Sequence, residues 1–151
     1  MQKQIITSLI FFLLFFFEAS AQQVVSGHPR QLDAFQLFEI QRGEVELFKT
    51  LVYRYEIAWE ELDVQSMVDL KDGLAKLMEL EVKQAADKGL EERANKEKAY
   101  LKKINETIFV EGDSDLGSKA ETAKSLFNDF IQMMEADLSE QQAALRPSDK
   151  K

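Results

Sequence analysis

Cysteine is absent from this 151-residue sequence, and histidine occurs only once, as His28. Without cysteine there can be no disulfide, no cysteine-linked lipid and no covalent haem, which needs a Cys-x-x-Cys-His motif. A single histidine also excludes the paired Glu-x-x-His ligands of a di-iron bundle. Because His28 precedes the predicted helices, the helices contain no histidine for a catalytic triad. We therefore expect no metal and no cofactor.

Motifs of nucleotide-binding and hydrolytic enzymes are also missing. The sequence contains no glycine-rich phosphate loop, no Gly-x-Ser-x-Gly and no His-Glu-x-x-His. Adjacent acids such as Glu91 and Glu92 do not face each other on a helix, so they cannot share a proton or a substrate. Opposite charges four residues apart, such as Arg93 and Glu97, are typical of a solvated helix face. These patterns predict a protein that is not an enzyme.

Long hydrophobic runs are absent except at the N-terminus. Lys3 precedes the apolar stretch 5–17, which is shorter than the roughly 20 residues that a membrane-spanning helix needs. Ala19-Ser20-Ala21 then gives the small-x-small pattern that signal peptidase cleaves, before Gln22. We predict a signal peptide over 1–21 and a periplasmic or secreted protein without a transmembrane segment in its mature chain; the alternative is a short membrane anchor.

Acidic residues outnumber basic ones, 27 to 19, which gives a formal net charge of −8. No basic face is large enough to neutralise several phosphates, so we expect no nucleic-acid partner. The segment Asp113-Ser114-Asp115 could begin a calcium loop, but Lys124 stands at the twelfth position, where such loops carry Glu. An ordinary acidic surface loop is the other interpretation.

From residue 33 onward, apolar residues recur at intervals of three and four, the period of a buried helical stripe. The spacing predicts helices over 33–63, 66–88, 90–108 and from 118 to about 146, with one helix over 66–108 as an alternative. Capping boxes at Ser66 and Ser118 and a terminal Gly89 mark their ends, and Gly43 allows a bend in the first helix. No stretch alternates with period two. We predict an all-α antiparallel bundle of three or four helices over 33–146, after a flexible leader (22–32) and before a disordered tail (147–151).

Three aromatic residues of the first helix, Phe48, Tyr55 and Trp59, lie on one side by their separations of seven and four. They can be core, or they can line a partner groove or an apolar cavity, since Tyr and Trp are favoured where one edge stays wet. Because the third helix has only a narrow apolar stripe, we expect part of this face to remain accessible beside it. We predict that Phe48, Tyr55 and Trp59 contact a partner or cargo.

The segment Leu138-Ser139-Glu140-Gln141-Gln142 is similar to the Leu-Thr-x-x-Gln motif of the Spy-type periplasmic chaperones, with Ser139 in place of Thr. Those proteins are small, exported, helical and poor in cysteine, and they usually carry the motif twice, whereas this chain has one copy. The resemblance implies a chaperone-like function.

Two functional hypotheses follow. The first is an exported, non-enzymatic interaction module that docks on another envelope protein or on itself. The alternative is a periplasmic binder of apolar cargo, which would be unfolded polypeptide or a lipid-like ligand held between helices.

Overall fold

Four α-helices and no strand make up the part of the chain, residues 32–145, that the computed structural model describes. They are α1 (Ala34–Glu60), α2 (Val64–Asp87), α3 (Glu91–Glu106) and α4 (Leu116–Leu145). The predicted all-α fold is confirmed, and the region 66–108 contains two helices. The predicted signal peptide (1–21), all of the leader but its last residue, Leu32, and the tail (147–151) lie outside the described residues.

The helices pack in a ring in which each contacts its neighbours in sequence, and α4 closes the ring against α1. Ion pairs show that α1 and α4 are antiparallel: Lys49 lies 2.7 Å from Glu135, and Glu56 lies 3.3 Å from Lys124. The contact between α3 and α4 is the least extensive of the four. We call this contact the weak seam, and the bundle is open beside it.

Helix ends follow from local hydrogen bonding, and two differ from the prediction. Asp63 caps α2 by accepting from the backbone N–H of Ser66, so the predicted cap at Ser66 is wrong. Likewise α4 begins at Leu116, so Ser118 lies inside the helix and is not its cap. At the end of α2, Gly89 has φ +73° and donates to Ala86, as predicted for a glycine C′ position.

The core consists of aromatic and aliphatic side chains from all four helices. Phe48 and Tyr55 of α1 pack against Phe127 of α4 with ring centroids 6.3 and 5.4 Å apart. The other large apolar side chains with almost no exposure are Phe130, Met67, Leu74, Met78 and Ile104. Close packing of this kind provides most of the free energy that holds such helices together.

None of the helices within residues 32–145 is both long enough and apolar enough to cross a bilayer.

Candidate functional site

The predicted aromatic site is mostly core. Phe48 and Tyr55 are buried, and the Tyr55 hydroxyl donates to the carbonyl oxygen of Ala120 at 3.1 Å. Only Trp59 is partly exposed, with the Lys124 ammonium 5.9 Å from its ring centroid. Phe48 and Tyr55 belong to the core because α2 and α4 cover α1, and the accessible part of this face is at Trp59. Partner or cargo binding at the three residues remains a prediction.

In the acidic loop before α4, the Asp113 carboxylate is already paired with residues of the loop and of α4. The Asp113 carboxylate forms an ion pair with Lys119 and accepts from the backbone N–H of Asp115 at 3.0 Å. Within residues 32–145 no group of three or more acidic or histidine side chains is arranged to hold a metal ion.

A cluster of buried and half-buried charges crosses the bundle near the start of α1 and α3. We call it the charged layer, and it contains Glu44 of α1, Glu81 of α2, Arg93 and Glu97 of α3, and Asp137 of α4. The predicted solvated face at Arg93 and Glu97 is therefore wrong, since Glu97 is 0% exposed and Arg93 is only partly exposed. All four helices contribute, so the layer depends on the tertiary fold.

Arg93 is the centre of this layer. Its Nε lies 2.7 Å from Oε1 of Glu97, one Nη lies 3.4 Å from Glu81, and the other forms an ion pair with Asp137. The Glu44 carboxyl lies beside Glu81 and Gln84, both of which influence its pKa. One guanidinium thus faces carboxylates from three helices, with Lys88 as a further nearby cation.

The charged layer has more hydrogen-bond acceptors than donors. Oε2 of Glu97 and Oε1 of Gln41 are buried without a hydrogen-bond partner. A carboxylate accepts and cannot donate unless it is protonated, and an unsatisfied buried acceptor costs roughly 1–3 kcal/mol. Among the protein's own atoms within residues 32–145, no donor reaches these two oxygens.

Burial explains how these carboxyl groups titrate. Burial raises the pKa of Glu81 to about 7; repulsion from Glu44 adds to this shift, and the Arg93 charge opposes it. Burial also raises the pKa of Glu44, Glu97 and Asp137, again against the effect of nearby cations. Near neutral pH the layer therefore holds a proton that an exposed carboxylate would have lost.

Beside the layer, the weak seam between α3 and α4 opens into a groove with a volume of about 690 Å³. The groove is lined by residues from the α2–α3 turn, from α3 and from α4: Gly89, Leu90, Glu91, Glu92, Arg93, Lys96, Met133, Ala136 and Asp137. Its lining combines charged residues with three apolar ones, Leu90, Met133 and Ala136, which we call the apolar strip. Arg93 and Asp137 belong to both the groove and the charged layer.

The sequence contains a signal for this layer that the i,i+4 spacing of opposite charges does not show. Glu97 follows the buried Ala94 by three residues and precedes the partly buried Leu101 by four, so it occupies a core position of the α3 stripe. Asp137 stands in the same relation to Met134, three residues before it. A charged residue at a position where the helical period expects an apolar one is therefore a better sign of this layer than an oppositely charged residue four positions away.

This chain matches no known family model, no curated protein and no solved structure.

Proposed function

We propose that this protein is an exported, non-enzymatic interaction module that docks a helix of another envelope protein in the groove between α3 and α4. The observation that carries the proposal is the groove itself, an open concave surface along the least packed seam of the bundle. Grooves between helices are a common docking surface for amphipathic helices.

The groove explains which helix would fit. Leu90, Met133 and Ala136 form its apolar strip, and Leu90 is 45% exposed. The small side chain of Ala136 leaves room that a partner's aliphatic residue would fill. Apolar side chains spaced three or four residues apart on the partner would bury this strip.

Charge favours a basic partner. Three of the five charged lining residues are acidic, and Arg93 is already paired with Glu81, Glu97 and Asp137. The whole chain carries a formal net charge of −8, which favours association with a cationic segment over association between two copies. The proposed occupant is therefore an amphipathic helix with Lys or Arg beside its apolar residues.

The test uses a synthetic helical peptide of Leu and Lys at i,i+4 spacing, with a Glu-for-Lys version as the charge control. Ala136→Trp fills the groove, whereas Ala99→Trp adds the same side chain at an exposed position of α3 outside it. We expect Ala136→Trp to weaken peptide binding at least about tenfold, or about 1.4 kcal/mol, and Ala99→Trp to leave binding unchanged.

Methionine methyl NMR locates the peptide independently. The Met133 methyl should shift on binding because it lines the groove, while the buried Met67 and Met78 methyls should not. Equal binding by both Trp variants, or equal binding of both peptides, would contradict the proposal. Concentration-dependent dimerisation or uptake of unfolded polypeptide that Ala136→Trp leaves unchanged would instead favour self-association or the cargo hypothesis.

A further inference from the structure

We propose that the charged layer is a proton-operated latch for the neighbouring groove: with a proton bound in the layer α3 stays closed against α4, and loss of that proton opens the seam. The inference rests on the proposed function only for the biological meaning of the opening. The conformational change itself requires no partner.

The first support is the charge balance of the layer. When all its carboxyls are ionised, Glu44, Glu81, Glu97 and Asp137 face a single guanidinium, with Lys88 nearby at the end of α2. Glu140 adds a further negative charge beside Asp137. Uncompensated buried charge is costly, so the closed layer favours a state with at least one carboxyl protonated.

The second support is the space available. A cavity of about 10 Å³ lies within the layer, lined by residues that include Gln41, Glu44, Glu81, Arg93 and Asp137. That volume is roughly the minimum for one water molecule, so no organic ligand fits there. A proton supplies the missing donor without needing more space, and it converts one carboxylate into an O–H that can donate to another carboxylate.

The third support is the way α3 is held in place. Ala94 and Glu97 are the buried residues in its N-terminal half, and Ile104 is the remaining fully buried one in the helix. This half of α3 therefore depends on the charged layer more than on apolar packing. Across the seam, the Arg93–Asp137 ion pair holds α3 to α4, whereas repulsion between Glu97 and Asp137 opposes this contact. In the deprotonated layer, separating the two helices breaks that ion pair but hydrates the excess carboxylates.

The titration of Glu81 sets the range in which the latch works. Burial and the neighbouring Glu44 place its pKa at about 7, so the layer loses its proton between mildly acidic and mildly basic pH. Below this range α3 and α4 would keep the separation seen in the structure, and above it the two helices would move apart and widen the groove between them.

The experiment measures the separation of α3 and α4 without any partner. Because the sequence has no cysteine, Asn95→Cys and Ser139→Cys can carry spin labels at exposed positions of α3 and α4 beside the layer. Pulsed electron paramagnetic resonance then gives the distance distribution about one pH unit below and above the Glu81 pKa of about 7. A pair at Thr50→Cys and Ser139→Cys reports on the α1–α4 contact as the control.

We expect one narrow α3–α4 distribution at the lower pH and a second, longer population at the higher pH, with the control pair unchanged. Glu81→Gln, which is neutral at every pH, should keep the α3–α4 distribution narrow at both values. Glu44→Gln provides a second test if Glu81→Gln does not fold, as judged by circular dichroism.

An α3–α4 distribution independent of pH, or one that still lengthens in Glu81→Gln, would overturn the latch. The proposed function fails separately if Ala136→Trp leaves the affinity for the Leu/Lys peptide unchanged while α3 and α4 still separate as the pH rises. An opening seam together with peptide affinity that rises with pH in the unsubstituted protein would support both.

Discussion

At the scale of single residues, backbone strain is concentrated at Leu62. Among the non-glycine residues of the described chain, Leu62 is the one with positive φ, at 55°, and it is 68% exposed. It occupies the left-handed position of the cap that ends α1, where Asp63 donates to the carbonyl of Ala58. The sequence predicts a helix over 33–63, whereas α1 ends at Glu60 and Leu62 lies in the turn that follows it.

We expect Leu62→Gly to stabilise the protein by about 0.5–1 kcal/mol. Glycine removes the roughly 1–2 kcal/mol that the left-handed conformation costs a residue with a side chain. About half of this stabilisation is offset because glycine has more conformational freedom in the unfolded chain. Urea denaturation measures the change, and Leu62→Ala, which keeps the strain, should give no gain. Stabilisation by Ala as large as by Gly would show that φ is not the cause.

Phe127 tests the assignment of the core. Its ring contacts Phe48 and Tyr55 and is 0% exposed, so Phe127→Ala should destabilise by about 3–5 kcal/mol through lost burial and a cavity. Phe35 is 61% exposed, and Phe35→Ala should change the free energy of unfolding by less than about 0.5 kcal/mol. Similar losses from both variants would be inconsistent with this core.

At the scale of helices, α1 runs without interruption through Gly43, from Ala34 to Glu60. A methyl group at Gly43 would meet no atom within 4 Å. The glycine therefore has no packing role, and its conformational freedom in the unfolded chain lowers stability relative to alanine.

Gly43→Ala should raise the free energy of unfolding by about 1 kcal/mol. Gly89→Ala is the control with the opposite expected sign. Because φ is +73° at Gly89, any side chain there is strained, so this variant should destabilise the protein by a similar amount. Thermal melts of both variants give the comparison. A loss of stability in Gly43→Ala would mean that the glycine serves a bend that α1 needs.

At the scale of the whole molecule, the buried carboxyls make stability depend on pH in an unusual direction. The folded-state pKa of Glu81, about 7, lies above its ordinary value of 4.5, and the pKa of Glu44, Glu97 and Asp137 is also raised. Between about 4.5 and 7 the folded state therefore binds more protons than the unfolded state. Stability must fall as pH rises through this window.

We expect the midpoint of urea denaturation to be higher at pH 5 than at pH 8, by an amount equivalent to about 2 kcal/mol, since one pKa unit corresponds to about 1.4 kcal/mol. Glu81→Gln removes the main titrating group and should flatten most of this dependence. Glu79→Gln, a change at an exposed position of the same helix, should not. Maximal stability at pH 8 would refute the assignment of raised pKa values.

Local periodicity was enough to predict the class of this protein. The three- and four-residue spacing of apolar residues predicted the helices, and Gly89 correctly marked the end of α2, because both signals act within a few residues of the chain. The same spacing places Phe127 and Phe130 three residues apart on one face of α4, and both are buried. Cap positions were less certain, since Asp63 and Ser66 are both good caps and only the path of the turn selects between them.

The candidate site depended on which helices become neighbours. Arg93 and Glu97 have the spacing of a solvated pair, and only the packing of α3 against α2 and α4 brings Glu81 and Asp137 to Arg93 and buries Glu97. The burial of Phe48 and Tyr55 also depends on tertiary packing, because α4 covers the face of α1 that the narrow apolar stripe of α3 would have left exposed. An amphipathic pattern determines that a face is buried, whereas the partner helix, and hence the burial of charge, is determined by contacts between residues far apart in sequence.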